Sequence, residues 1–255
     1  MSDMKKVDYE NSIVITGTSK GIGKNIAEAL LESGNSVIGI SRSNDSAMNG
    51  LMHIAFDLNQ ITKLDLLWRS ILDLSEKIDV VILNAGVGHI SKLVDENVTS
   101  CMEILNINFL SPYFLAKQAA KHWRKMNQIG HIIFIGSQAG FPFGGQACNS
   151  MYSASKAAIH SLVSSLSREL GPLIRVNAVA PGDVMTDLAH KSAIDFVKIS
   201  DEFNTVEEYM KRVLNRSILE RLVLPSEVVS SVQYLIDNKA VTGTILNVSA
   251  GSTVY

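Results

Sequence analysis

The feature that most constrains this chain is an alternation of short apolar runs with longer helical patterns, sustained almost from end to end. Residues 12–16 (SIVIT) predict a strand. Residues 21–33 predict a helix with Ile22, Ile26, Ala29 and Leu30 on one face and Gly34 as its stop. Strands are expected at 36–41 and 53–56, a helix over 61–75, and a fourth strand at 78–83. A long helix follows over 99–126, a fifth strand at 131–136, and a helix over 151–170 that Gly171-Pro172 ends. A sixth strand spans 174–179. The pattern loosens after Gly182 until about Pro225, then gives a helix over 226–237 and a last strand at 244–248. The strands are apolar on both faces, as in a parallel sheet covered by helices on each side. An α/β fold is therefore expected: one open, doubly wound parallel sheet of about seven strands with right-handed crossovers. Such sheets bind ligands beyond the carboxyl ends of their strands.

A length of 255 residues suits one domain, 1–255, with residues 1–11 as a flexible amino-terminal extension. Hydrophobic residues make up 46% and charged residues 19%, which sets the chain apart from disordered and fibrous classes. A net charge of −2 gives no sign of a nucleic-acid partner. Cys101 and Cys148 form no CxxC or Cys/His pair, and none of the six histidines has ligand spacing, so no metal site is expected. Two reduced thiols, a polar start without an apolar leader and no apolar run of ~18 residues predict a cytoplasmic protein with no membrane span.

Chemistry concentrates at a few places. The first strand runs into Thr16-Gly17-Thr18-Ser19-Lys20-Gly21-Ile22-Gly23. Glycine permits a tight turn and close approach to a phosphate, and the helix that starts there offers free N–H groups to an anion. Tyr152 and Lys156 stand four apart on one helical face, where an ammonium would lower the pKa of the phenol. Ser137, at the end of a strand, would supply a hydrogen-bond donor. In order along the chain come the TGxxxGxG turn, Asn84-Ala85-Gly86, Asn108, Ser137, Tyr152-Ser153-Ala154-Ser155-Lys156, and Asn177-Ala178-Val179-Ala180-Pro181-Gly182 with Thr186 close behind. This set resembles the short-chain dehydrogenase/reductases, in the compact form of about 250 residues. The likeness runs from Ile13 to about Gly251.

The resemblance implies a Rossmann-like oxidoreductase that moves a hydride between nicotinamide and a carbonyl or secondary alcohol. Tyr152 would be the general acid or base, Lys156 would tune it and hold the nicotinamide ribose, and Ser137 would orient the carbonyl. Asn108 would support a water that links Lys156 to solvent, with Asn106 as a nearby rival. Gly17, Thr18, Ser19, Lys20, Gly21, Ile22 and Gly23 would hold the pyrophosphate. Asp57 and Leu58 would border the adenine, and Asn84, Ala85 and Gly86 the adjoining ribose. Pro181, Gly182, Val184 and Thr186 would flank the carboxamide. After the second strand the chain reads Ser41-Arg42 with no acid at the tip, and Lys20 adds a second charge; Asp45 falls late for a ribose ligand. This favours NADP(H) over NAD(H).

The substrate is expected to be a small carbonyl or alcohol, a 3-oxoacyl thioester or another ketone. Residues 187–218 would form a substrate lid, and the predicted helices at 99–126 and 151–170 would build a homodimer or homotetramer. His89 and the stretch holding Gln138, Phe141, Phe143 and Gln146 are candidates to face the substrate. The alternatives are an NAD-linked alcohol dehydrogenase, and an idle cofactor-binding or scaffold protein. Sugar-nucleotide isomerases and dehydratases are disfavoured by length and glycine spacing. The chain departs from the family pattern at Gly136-Ser137, where Ser-Ser is usual, and in about two extra residues between Ser137 and Tyr152.

Overall fold

The computed structural model describes residues 11–43 and 48–253. Residues 1–10 of the expected extension 1–11, and Asp45, lie outside the described residues. The strands are β1 Ser12–Thr16, β2 Ser36–Ser41, β3 Met52–Ala55, β4 Val80–Leu83, β5 Gly130–Ile135, β6 Ile174–Pro181 and β7 Ile245–Val248. They form one seven-stranded sheet in the order β3-β2-β1-β4-β5-β6-β7, and every pairing is parallel. The fold class is the expected one. The helices are α1 Gly21–Glu32, α2 Leu64–Leu74, α3 Val98–Leu105, α4 Ser111–Met126, α5 Ser150–Leu170, α6 Asp187–Ile199, α7 Val206–Arg216 and α8 Pro225–Asp237. Burial explains the two-sided arrangement. Ile38, Val81, Ile132 and Phe134 join α2, α4 and α5 in one core, while Ile13, Ile82, Ile133 and Val179 join α1 and α8 in the other.

The differences from the sequence reading have local causes. β4 starts at Val80 because the carbonyl of Ile78 accepts hydrogen bonds from Trp123 Nε1 and Gln128 Nε2, both at 2.6 Å. β6 runs on to Pro181 because β7 pairs with it up to Val248. The expected helix over 99–126 is interrupted: Asn106–Leu110 is a wider π-helical turn between α3 and α4. Pro112 has no N–H to give the Asn108 carbonyl, so a regular α-helix cannot run through this point. Two helices, α6 and α7, occupy the stretch that reads as loosened. Each is started by a threonine, with Thr186 Oγ1 accepting from Ala189 N at 3.3 Å and Thr205 Oγ1 from Glu208 N at 3.2 Å. Among the described residues no helix is long and apolar enough to cross a membrane.

A polar knot fastens the amino ends of β5 and β6 to α8. Arg175 Nη1 donates to the carbonyls of Leu235, Asn238 and Val241 at 2.9–3.0 Å, where a cation suits the end of a helix. Arg175 Nη2 and Asn177 Nδ2 each lie 2.9 Å from a ring nitrogen of buried His131. Burial first, and the Arg175 charge second, lower the pKa of His131 from 6.5 to about 3. The unfolded chain therefore binds a proton here that the folded chain refuses. The resulting stability is fully present above pH 6.5 and is lost as pH falls toward 3. Thermal unfolding followed between pH 7.5 and 4 should show a midpoint that falls with pH, and the fall should be shallower in His131→Gln. Parallel curves for the two proteins would assign the acid sensitivity elsewhere.

Candidate active site

The carboxyl ends of the strands gather the residues that carry chemistry. The turn after β1 uses Gly17 at φ +79° and Gly21 at φ +58°, conformations that favour glycine. A Cβ at Gly23 would lie 2.2 Å from the Gly17 carbonyl, so only glycine lets α1 sit this close to the strand. The start of α1 carries no side-chain cap at Lys20 and no acid in its first turn. Its first N–H groups have no acceptor within the helix, so the turn suits an anion such as a pyrophosphate. Thr18 is buried, Ser19 and Ile22 are half-buried, and Lys20 is exposed.

Asn84 and Ala85 fasten β4 to this turn. Both backbone N–H groups donate to Thr16 Oγ1 at 3.0 Å, and Asn84 Nδ2 donates to the carbonyls of Thr16 (2.9 Å) and Gly17 (3.3 Å). At the end of β2 the hydroxyl of Ser41 donates to the Ser43 carbonyl and lies 2.7 Å from His53 Nε2. Arg42 is exposed, with no hydrogen bond or ion pair to the described residues. Asp57 Oδ1 accepts from Asn59 N at 3.0 Å, while Leu58 packs into the core. On the far side Pro181 and Val184 are buried, and Gly182 packs on Ser249. Thr186, the cap of α6, stands against the glycine turn: a Cβ on Gly21 would lie 3.9 Å from its Cγ2.

Ser137, Tyr152, Lys156 and Asn108 meet around Gly86 and Gly88. A Cβ on Gly86 would be 3.5 Å from both Lys156 Nζ and Asn108 Oδ1, and one on Gly88 would be 3.9 Å from Tyr152 Cδ2. Asn108 is tied by its amide to both backbone groups of Val87 (2.8 and 2.9 Å) and to Ser155 Oγ (3.1 Å). Its rival Asn106 lies away from this cluster and donates to Asn59 Oδ1 at 2.8 Å. Lys156 is buried. Its ammonium donates to the Ile135 carbonyl at 2.8 Å and lies 5.8 Å from the centre of the Tyr152 ring. Desolvation lowers its pKa from 10.5 to about 8. Burial of the hydroxyl is also the largest influence on Tyr152 and raises its pKa. The hydrogen bond with Ser137 acts downward and the charge of Asp183 upward. The pull of Lys156 on the phenol, expected from the spacing, is not among the influences on Tyr152, and the net direction is upward.

The remaining candidates divide. His89 pairs with Glu96 at 3.6 Å and lines a groove of about 330 Å³ together with Gly88, Leu188 and Lys191. Phe143 is exposed, Gln146 accepts from Tyr209 Oη at 3.5 Å, and the Phe141 ring packs tilted against His160 with centroids 4.5 Å apart. Gln138 is buried and donates to Asp183 Oδ2 at 2.9 Å. Asp183, His160 and Tyr209 were not singled out by the sequence as site residues. The first had a signal, since it stands inside Pro181-Gly182-Asp183-Val184.

Comparison with known proteins gives the family. The model of the short chain dehydrogenase family matches residues 11–195. The chain belongs to that family. It is 31% identical over 253 residues to an uncharacterised oxidoreductase of Bacillus subtilis (strain 168), with 93% of this chain and 97% of that protein covered. It is 30% identical to a 3-oxoacyl-[acyl-carrier-protein] reductase of Vibrio cholerae over 93% of this chain and 95% of that one. Among solved structures, an actinorhodin polyketide ketoreductase with NADPH is 27% identical, with a TM-score of 0.88 and 96% and 98% of the two chains covered.

The structure accounts for one departure from the short-chain dehydrogenase pattern. At Gly136, a Cβ would fall 2.6 Å from His160 Nε2 and 3.5 Å from the Val179 carbonyl. The imidazole therefore fills the space that a side chain at 136 would need. Burial, and then the charge of Lys156, lower the pKa of His160 to about 4, so the ring packs as a neutral group. Gly136→Ser should destabilise the fold by roughly 1–3 kcal/mol through overpacking. Adding His160→Ala should recover much of that loss in a double-mutant cycle followed by urea unfolding. Purely additive losses would separate the two positions.

Proposed function

We propose that this short-chain dehydrogenase is an NADP(H)-dependent oxidoreductase that exchanges a hydride with a carbonyl or secondary alcohol. The observation that carries the reading is the meeting of Ser137, Tyr152 and Lys156 at the carboxyl edge of the sheet, next to the glycine turn. A bound nicotinamide would supply or take the hydride. Tyr152 Oη gives the carbonyl oxygen its proton in reduction and receives it in oxidation. Ser137 Oγ already accepts from Ala139 N at 3.1 Å, which leaves its own hydrogen to donate to the same oxygen. That oxygen gains charge as hydride arrives, so a fixed donor helps the transition state more than the ground state. Lys156 keeps a positive charge beside the phenol and would hold the nicotinamide ribose.

Gly17 through Gly23 are assigned to the pyrophosphate, and Asp57, Leu58 and Asn84 through Gly86 to the adenosine half. Pro181, Gly182, Val184 and Thr186 are assigned to the carboxamide. Arg42 and Lys20 support NADP(H): both are exposed cations without an ion pair to the described residues, and Ser41-Arg42 presents no acid to a ribose hydroxyl. α6 and α7 are assigned to a lid over the groove beside Gly88, whose closure would exclude water. A 3-oxoacyl thioester or another ketone is the substrate that the named relatives support.

NADPH oxidation against a ketone panel tests the assignment. NADPH should be preferred over NADH, and Arg42→Asp should reverse the preference. Tyr152→Phe should lower turnover by about 10²–10⁴-fold while cofactor binding survives. Full activity in Tyr152→Phe would overturn the mechanism. Because Lys156 loses its charge as pH rises through about 8, kcat/KM for reduction should fall above that pH. A flat profile from pH 7 to 9.5 would remove Lys156 from this role.

A further inference from the structure

Asp183 is a half-buried carboxylate with no ion pair to the described residues. It follows Gly182 at the carboxyl end of β6, and its charge acts on the hydroxyls of Tyr152 and, in α7, of Tyr209. Arg216 acts on it from the same helix without forming an ion pair. Its orientation is built from two directions. Gln138 Oε1 accepts from Ser252 Oγ and from Thr253 Oγ1, the latter at 3.2 Å. Hydroxyls can give or take a hydrogen, so the Asp183 carboxylate, an acceptor when ionised, is what sets the amide with its NH₂ end toward Asp183. That end donates to Asp183 Oδ2 at 2.9 Å. Burial raises the pKa of Asp183, and the Gln138 amide and then the Arg216 charge act downward against it; among the described residues no donor reaches Oδ1.

A preoriented carboxylate with one open oxygen is a costly neighbour for an apolar chain, which would strip its water and return no hydrogen bond. It is a good partner for a hydroxyl or an ammonium. We infer that Asp183, held by Gln138, is a specificity residue that selects carbonyl substrates bearing a hydrogen-bond donor near the carbonyl. This rests on the carbonyl chemistry proposed above and narrows it, away from plain alkyl ketones and toward hydroxylated or aminated ones.

Three ketones of equal heavy-atom count test it: pentan-2-one, 4-hydroxybutan-2-one and protonated 4-aminobutan-2-one. The NADPH-loaded protein should favour one or both donor-bearing ketones over pentan-2-one by tenfold or more in kcat/KM, the scale of one hydrogen bond to a charged group. Asp183→Leu should abolish or invert that ranking. Asp183→Asn keeps an acceptor and the size, and should retain preference for the hydroxyl while losing preference for the ammonium. Binding of the same three ketones to the NADPH-loaded protein, measured by saturation-transfer NMR, should follow the same ranking, and it decides the matter where turnover is too slow to time.

A wild-type preference for pentan-2-one, or an unchanged ranking in Asp183→Leu, overturns the inference. Tyr152→Phe run alongside separates the two levels: undiminished reduction in that variant would overturn the catalytic reading while leaving the ranking to judge Asp183.

Discussion

The hydrogen bond from Lys156 Nζ to the Ile135 carbonyl sets the register of the whole site. A buried ammonium is unfavourable unless its hydrogens are received, and the carbonyl at the last residue of β5 receives one of them. To make that bond, α5, which packs on β6 and on the turn at Gln138–Gly140, has to bring its first turns to the end of β5, and Ile159 and Val163 in the core beneath hold it there. Everything nearby then follows from covalent spacing. Tyr152 sits one helical turn before the lysine, and Ser137 two residues beyond the carbonyl. Two groups far apart in sequence are brought together by one bond that neither of them makes.

The surroundings of that bond show how neighbouring choices depend on one another. His160 lies one further turn along α5 and fills the space over Gly136, so the usual Ser-Ser pair would collide with it. Gln138, on the other side of Ser137, uses its oxygen to tie down Ser252 and Thr253 and its nitrogen to hold Asp183. Ser137 is thus flanked by two adaptations. One is a packing exchange beneath the strand. The other is a polar brace that reaches the end of the described chain. Neither changes the reacting groups, and both change what stands around them.

Legibility in the sequence followed the range of the interactions. The glycine turn, the strands and the Tyr152–Lys156 pair are local patterns, and each stood out in the residues themselves. The edges did not, because they are set from afar: β4 starts late because Trp123 and Gln128 hold the Ile78 carbonyl. α6 and α7 were missed because only Ala193 and Val213 are buried in them, too few to make a periodic stripe. Thr205 and Glu208 offered a capping-box signal that an emphasis on apolar spacing passes over. The choice between Asn106 and Asn108 depended on the π-helical turn ahead of Pro112, which turns them to different surroundings. The link from Gln138 to Asp183 joins two loops and left no local trace.

The placement of Asp183 also bears on the direction of the chemistry. Burial raises the pKa of Tyr152, and the carboxylate raises it further. A phenol held upward in this way is protonated at neutral pH, the state that can give a proton to a carbonyl oxygen. Oxidation would have to begin from the phenolate, which the negative charge of Asp183 opposes. The hydrogen bond with Ser137 works the other way, at the phenol oxygen itself. Under the carbonyl chemistry proposed above, Asp183 and burial together keep the proton on Tyr152, and stabilisation of the developing charge falls to Ser137, an arrangement that would suit reduction better than oxidation.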